Sequence, residues 1–296
     1  MLRLLENTGL ATAGLVFLSL SKIQNIAKGY KKPRAFSSDD IARSVEHDLR
    51  VVEDWNRALS KYLGKSDPFA GRTILELGPG PDLGVGLSLL ARGAKSYVGC
   101  DLFDLAQDVP DDLYHRILER LAVLPDAAVA LLNEVAMARS NRPDARLKYV
   151  LSPGFDLEHS FAGRQFNLFV SSAAFEHFDD VPSTLAQITA LAADDAQLVF
   201  CVDLKTHSRW IRDEDPLNIY RYGDALYRML TYRGSPNRVP TSVYLSTLTQ
   251  LGWKDVRLIE ATAVDHAYFE NVRHALHPRF RADETRNVWI VICARR

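Results

Sequence analysis

The stretch Ile74-Leu75-Glu76-Leu77-Gly78-Pro79-Gly80-Pro81-Asp82-Leu83-Gly84 (ILELGPGPDLG) joins an apolar run, an acid and a glycine-proline turn. Thr73 to Leu77 reads as a short buried strand that stops at the first glycine, and Gly84 to Ala91 begins a helix. A strand, a glycine turn and a helix start bring backbone N–H groups close to a ligand, and glycine is needed where a Cβ would block the approach. Two phosphate-binding loops do not fit. The redox dinucleotide fingerprint G-x-G-x-x-G fails because Leu83 sits at its last glycine, and the Walker loop lacks its Gly-Lys-Ser/Thr. Glu76, directly ahead of the glycines, suits a cationic ligand and repels a pyrophosphate.

Working outward, the pattern of strand and helix repeats. Ser96 to Cys100 is a second strand ending at Asp101, where a carboxylate can accept from both hydroxyls of a ribose. Leu147–Leu151, Phe166–Ser171 and Gln197–Val202 follow as strands, with helix character at Val181–Leu191 and Thr241–Leu251. Trp253–Ile259 and Val288–Ala294 give two late strands. Where a minimal crossover has one helix, Asp111–Leu124 and Asp126–Arg139 supply two, an insertion at about 104–146. A second insertion, about 205–240, is rich in aromatic residues, among them Trp210, Tyr220, Tyr222, Tyr227 and Tyr232. The alternation predicts a doubly wound, Rossmann-like α/β domain over 65–296, preceded by a helical N-terminal annex at 1–64. In that annex Ser37-Ser38-Asp39-Asp40 reads as a helix cap. Ile41, Val45, Leu49, Val52, Trp55, Leu59 and Tyr62 then recur at helical spacing, a lid-like or packing helix.

Composition bounds the partners. The 296 residues are 47% hydrophobic, and 36 Lys+Arg against 37 Asp+Glu leave a net charge of -1, so no global field draws nucleic acid or an anionic membrane. Cys100, Cys201 and Cys293 lie in apolar strands without CxxC or metal-like spacing; buried reduced thiols are expected and no metal site, which suits a cytoplasmic protein. Asn7 to Ser21 is uncharged and is followed by Lys22, Lys28, Lys31, Lys32 and Arg34. It is short for a span of about 20 apolar residues, and Glu6 with no small-x-small site argues against a signal peptide. A helix packed on the domain or a partner and a helix on the membrane surface both fit, and the basic cluster favours an inner-membrane surface over a solvated linker.

The residues resemble the class I S-adenosylmethionine-dependent methyltransferases. Glu76-Leu77-Gly78-Pro79-Gly80 is similar to the first motif of that family, Val98-Gly99-Cys100-Asp101-Leu102 to the second, and Gly154-Phe155-Asp156-Leu157 to the acid after strand three that reads the adenine amino group. Ser171-Ser172-Ala173-Ala174-Phe175-Glu176-His177 resembles the segment after strand four that carries a Glu-His pair in small-molecule enzymes. The resemblance implies a seven-stranded sheet whose two late strands form an antiparallel hairpin, with S-adenosylmethionine as cofactor. It implies a cofactor site at Glu76, Gly78, Gly80, Asp101, Leu102, Asp156, Leu157 and Ser171. One position departs from it, because Asp82 stands where the family prefers a small residue and the glycines are delayed to Gly84 and Gly86.

Methyl transfer to a hydroxyl needs alignment and a proton acceptor, for which histidine is suited. His207 and His177 are the candidates, with Asp203 to orient an imidazole or hold an acceptor hydroxyl; Arg212, Arg221 and Arg238 are candidates for an acidic substrate group. No Asn/Asp-Pro-Pro-Tyr/Phe turn follows strand four, no cysteine has the context of a cytosine-C5 nucleophile, and no basic-aromatic face is spread for RNA. A small molecule, or a lipid or glycan precursor, methylated on oxygen, is the expected acceptor. The competing readings are a non-catalytic methyltransferase-like interaction protein and a nucleotide-dependent oxidoreductase.

Overall fold

The computed structural model describes residues 2–29, 38–106 and 109–296. Lys31, Lys32, Arg34 and Ser37, named above for a basic cluster and a helix cap, lie outside the described residues. Seven strands form one sheet in the order β3-β2-β1-β4-β5-β7-β6. They are β1 (Thr73–Leu77), β2 (Ser96–Asp101), β3 (Leu147–Leu151), β4 (Phe166–Ser172), β5 (Ala192–Asp203), β6 (Lys254–Ala263) and β7 (Asn287–Arg295). The first five are parallel, and β7 enters antiparallel between β5 and β6, so the expected edge hairpin is present. The chain reverses its winding between β1 and β4, the place where open α/β sheets bind ligands.

Alternation along the strands divides the core. Leu75 and Leu77 of β1 point to one face with Phe169, Phe200, Leu185 and Leu248, under the helices α7 (Val181–Ala190) and α9 (Thr241–Gln250). Ile74 points to the other, with Leu168, Val199 and the buried stripe Ile41, Val45, Val52, Trp55 and Leu59 of α2 (Ser38–Leu63). The same layer holds α3 (Gly84–Ala91) and the two insertion helices, α4 (Asp111–Arg120) and α5 (Pro125–Arg139). The helix expected to reach Leu124 ends at Arg120, because Ala122 takes a left-handed φ of 52°.

The second insertion builds a third apolar cluster. Tyr220, Tyr222 and Tyr227 are buried with Phe269 and Phe280, whereas Trp210 is exposed. On this cluster rests α1 (Leu2–Lys28), whose Leu15 and Leu18 pack against it. The seat is built for close approach: a Cβ on Gly14 would lie 1.8 Å from Asn218 Oδ1 and 2.1 Å from the Tyr222 hydroxyl. Asn218 Nδ2 donates to Leu10 O (2.9 Å), Tyr222 Oη to Ala11 O (2.8 Å) and Arg221 to Asn7 Oδ1 (3.0 Å). By length and composition alone Glu6–Lys28, with a mean hydropathy of 1.3, reaches the size of a membrane span. Its inner face is nevertheless engaged by polar groups of the domain.

Candidate active site

β1 carries Glu76 to the carboxyl edge of the sheet on the Ile74 face, beneath α2. The turn that follows needs its glycines for two different reasons. Gly78 has φ 74° and its Cβ would sit 2.5 Å from that of Ala174; Gly80 has φ 78° and open space where a Cβ would stand. Gly78 N–H donates to Cys100 O (2.9 Å), which fastens the loop to the end of β2. There Asp101 Oδ1 accepts from the amides of Leu102 (2.6 Å) and Phe103 (3.2 Å). Burial raises the Asp101 carboxyl, and these amides together with that of Gly80 oppose the rise.

A cavity of about 450 Å³ lies between this loop and the first turns of α2. Glu76, Gly78 to Asp82, Ser172 and Ala173 line one side, and Arg43, Ser44, His47 and Asp48 the other. Ala173 holds a left-handed φ of 51° at the end of β4, the kind of backbone strain found where a loop is shaped for a ligand.

Three carboxyl groups converge at this cavity, each 4% exposed or less: Glu76, Asp82 and Asp48. Burial pushes Glu76 up to about 8, against the hydrogen bond it accepts from Tyr97 Oη at 2.5 Å. Asp82 turns inward, where its Oδ1 accepts from Gly84 N (2.8 Å) at the start of α3 and its carboxyl meets that of Asp48. Burial and the neighbouring Asp82 hold Asp48 well above the carboxylate range, so Asp48 carries the proton of the pair. Its Oδ2 is buried without a hydrogen-bond partner. The sequence departure at Asp82 is therefore matched by Asp48, and the delayed Gly84 leaves room for it. Asp48 escaped sequence reading although a signal was there: it follows Val45 by three residues and precedes Val52 by four, on the buried stripe of α2.

The other expected cofactor residues divide. Asp101 and Asp156 stand at the ends of the neighbouring strands β2 and β3; Asp156 is exposed and caps the short helix α6 (Leu157–Ser160) by accepting from His159 N (3.1 Å). The side chain of Leu157 is buried in the core, and its amide donates to Gln187 Oε1 (2.7 Å). The hydroxyl of Ser171 donates to Leu77 O (2.9 Å), stapling β4 to β1, while Ser172 and Ala173 beside it line the cavity.

A second cavity, about 240 Å³, opens between α1 and the loops after β4 and β5. Phe17 and Leu18 form its apolar wall, and His177, Thr206 and His207 its polar wall. The two imidazoles meet edge to face with centroids 4.9 Å apart. His177 Nδ1 lies 2.7 Å from Gly234 O and His207 Nδ1 2.8 Å from Lys205 O. A carbonyl only accepts, so both Nδ1 atoms carry hydrogen and each Nε2 of a neutral ring offers a lone pair. Behind them Glu176 Oε1 lies 3.7 Å from His207 Nε2, longer than a normal hydrogen bond. Burial lowers His177; it is also the largest influence on His207, but there Glu176, the Lys205 carbonyl and Asp203 together outweigh it and the net shift is upward. Asn237 clamps the turn that presents Glu176 and His177, with Nδ2 donating to Phe175 O (2.7 Å) and Phe178 O (3.0 Å) and its amide to Glu176 O (2.7 Å).

Asp203 does not orient either imidazole by a hydrogen bond. Its Oδ1 accepts from Lys205 N (3.1 Å) and its Oδ2 lies 3.7 Å from Arg212, while it adds negative field at both histidines. Two of the three candidate arginines are structural. Arg221 is buried in an ion pair with Asp215 (2.7 Å), and Arg238 stacks on Tyr227 while donating to Ile219 O and Tyr222 O and pairing with Asp224.

Residues 45–284 match the model of a family described as a methyltransferase domain. The chain belongs to this methyltransferase family. S-adenosylmethionine is its cofactor. The residues fit that molecule: the open approach at Gly80, the acids Glu76 and Asp101 at adjacent strand ends, and the unpartnered Asp48 Oδ2 all suit a cationic, ribose-bearing ligand. Among solved structures, the methyltransferase is similar to the CurJ carbon methyltransferase (16% identity, 99% of this chain and 69% of that one, TM-score 0.46). It is similar as well to an S-adenosylmethionine-dependent methyltransferase from Mesorhizobium loti (16%, 77% and 92%, TM-score 0.40). A third is phosphoethanolamine N-methyltransferase 2 of Haemonchus contortus, in complex with S-adenosylmethionine (15%, 85% and 52%, TM-score 0.41). These distant likenesses carry nothing about the acceptor. No curated protein matches the chain by sequence.

Proposed function

We propose that this methyltransferase methylates an oxygen of a small molecule, or of a lipid or glycan precursor, bound in the cavity between α1 and the two histidines. The supporting observation is that His177 and His207, each with its Nδ1 on a backbone carbonyl, line a 240 Å³ cavity. The loop of β4 that carries Glu176 and His177 also lines the cofactor cavity through Ser172 and Ala173.

When bound, S-adenosylmethionine supplies a methyl carbon on a cationic sulfur, transferred in line with the C–S electron pair remaining on sulfur. Glu76, Asp82 and Asp48 would hold the amino-acid end, Asp101 the ribose and Asp156 the adenine, with the Gly78–Gly80 backbone alongside. At the acceptor, the Glu176–His177–His207 group takes up the hydroxyl proton as the oxygen forms its bond to carbon, and Glu176 offsets the positive charge that this leaves. The apolar wall of Phe17 and Leu18 excludes water from the acceptor, which favours transfer over side reactions. In this reading 65–296 is the catalytic domain and 1–64 an annex whose two helices each close one cavity. The outward side of α1 exposes Val16, Leu20, Ile23 and Ile26, a stripe that supports a position at the inner membrane surface.

The test is methyl transfer from labelled cofactor to panels of phenols, sugar hydroxyls and lipid-linked glycans, paired with calorimetric cofactor binding. His207→Ala is expected to cut turnover far more than cofactor affinity, and Asp101→Ala to weaken the cofactor by about 1–3 kcal/mol. Undiminished turnover in His207→Ala removes His207 from the chemistry, and no cofactor binding by the wild type at high micromolar concentration overturns the enzymatic reading.

A further inference from the structure

We propose that Glu176, His177 and His207 bind a divalent first-row transition-metal ion, with Zn²⁺ the best match to two imidazoles and one carboxylate. No metal was expected from the sequence, because the ligands come from two different strand ends and have no diagnostic spacing. The fold brings them together: one ligand atom from each lies within 4.8 Å of the other two. Ligands at about 2.0–2.1 Å from a tetrahedral ion stand roughly 3.4 Å apart. Glu176 Oε1 and His207 Nε2, at 3.7 Å, are near that separation before any ion is present.

Three further observations point the same way. Glu176 is 1% exposed and neither carboxylate oxygen has a hydrogen-bond partner. A buried, unpartnered carboxylate is unfavourable, and a cation placed among these three side chains removes the penalty. Both histidines donate Nδ1–H to a backbone carbonyl, Gly234 O and Lys205 O, which is the outer support that fixes the tautomer of metal-binding imidazoles and leaves Nε2 to the ion. Finally, two of the three ligands line the 240 Å³ cavity, which provides an entry path.

Three protein ligands leave coordination positions toward that cavity, the arrangement of a catalytic rather than a closed structural site. The chemical use of such an ion is to lower the pKa of a hydroxyl. With an ion bound both Nε2 lone pairs are engaged, so the ion rather than an imidazole would acidify the acceptor hydroxyl, whose proton would pass to solvent; the inference rests on the oxygen-acceptor reading for its purpose, though not for the binding itself.

The test uses the full chain, stripped with chelator and titrated calorimetrically with ZnCl2 and, separately, with MgCl2; CoCl2 binding is followed by visible absorption. One equivalent of Zn²⁺ is expected, with little response to Mg²⁺ and a d–d absorption band with Co²⁺. Glu176→Gln, His177→Ala and His207→Ala should each weaken Zn²⁺ by at least about tenfold. His115→Ala, at an exposed histidine of α4, should bind as the wild type, and cofactor-induced thermal shifts confirm that each variant is folded. Metal content of the untreated protein, measured by mass spectrometry, checks the site without any variant. Absence of stoichiometric Zn²⁺ or Co²⁺ binding by the wild type, or undiminished binding by His207→Ala, overturns the inference. If zinc fails to bind while His207→Ala still abolishes methyl transfer, the metal falls and the oxygen-acceptor reading stands. If zinc binds but no oxygen acceptor is methylated, the reverse holds.

Discussion

Asp48 of α2 and Asp82 of the glycine loop meet carboxyl to carboxyl, and Asp48 Oδ2 would lie 2.1 Å from a Cβ placed on Gly84. The pair ties α2 to the glycine loop across the 450 Å³ cavity that both line. Because both pKa values are raised, the folded protein keeps protons that the unfolded chain releases above the ordinary aspartate value of about 3.9. The unfolded state then binds fewer protons, so stability falls as pH rises from there toward the folded pKa values. Asp48→Asn keeps the shape and the donor while removing the ionisation. Urea denaturation of the cofactor-free protein should show the variant near wild type at acid pH and progressively more stable than wild type toward pH 8. Parallel curves for the two proteins would mean that Asp48 titrates normally.

If Glu76 holds the amino-acid end of the cofactor as proposed, cofactor binding depends on pH. The free protein holds its carboxyl up to about 8 by burial, with Tyr97 donating in opposition. A cofactor ammonium lodged beside it favours the ionised form, so binding expels a proton. Between about pH 5.5 and 7, where an α-ammonium stays protonated, affinity should rise by as much as tenfold per pH unit. Calorimetry in buffers of different ionisation enthalpy should find close to one proton released near pH 7. In Glu76→Gln the slope and the proton release should both fall, what remains belonging to the Asp48–Asp82 pair at the same cavity. A dissociation constant that does not change over this window would place the ammonium elsewhere.

The sheet was legible because each strand is an apolar run closed by a turn or an acid, and Gly64, Gly84 and Gly252 punctuate the helices. The places of Glu76 and Asp101 near the ends of β1 and β2 were legible for the same reason. What escaped depends on contacts between distant segments. Asp48 lies in a helix that sequence places before the domain, and only packing brings it to Asp82. The Glu176–His177–His207 group is assembled from β4 and β5, and Asn237, in an insertion without strong periodicity, holds it. Arg221 and Arg238 are structural because burial, not residue type, decides whether a guanidinium is free.

The two glycines of the loop separate conformation from contact. Gly80→Ala meets only the cost of a left-handed φ, about 1–2 kcal/mol, since nothing stands within 4 Å of its new Cβ. Gly78→Ala meets the same cost and also the Ala174 Cβ at 2.5 Å, which adds about 1–3 kcal/mol as the loop and the end of β4 are forced apart. Denaturation midpoints should therefore drop more for Gly78→Ala. Cofactor affinity should suffer in both, because both backbones line the cavity. Pairing Gly78→Ala with Ala174→Gly should recover the contact part alone. No recovery in that double variant would show that the backbone angle accounts for the whole loss.

The outward stripe of α1 gives a prediction about where the protein works. Val16, Leu20, Ile23 and Ile26 recur at three- and four-residue spacing and are each 48% exposed or more, while the opposite side of the helix is held by Asn218, Tyr222 and Arg221. A helix seated this firmly is unlike a free anchor: to cross a bilayer it would abandon Gly14's close contact and strip its polar partners, whereas lying on a surface keeps both. The full chain should therefore sediment with vesicles containing anionic lipid and be released by carbonate or high salt, as a peripheral protein is. Changing Val16, Leu20, Ile23 and Ile26 together to serine removes the apolar contribution without touching the inner face, so vesicle binding should be lost while cofactor binding and thermal stability stay near wild type. Vesicle binding that survives the four substitutions would take the stripe out of membrane contact, and a protein that resists carbonate extraction would require α1 to leave its seat on Asn218 and Tyr222.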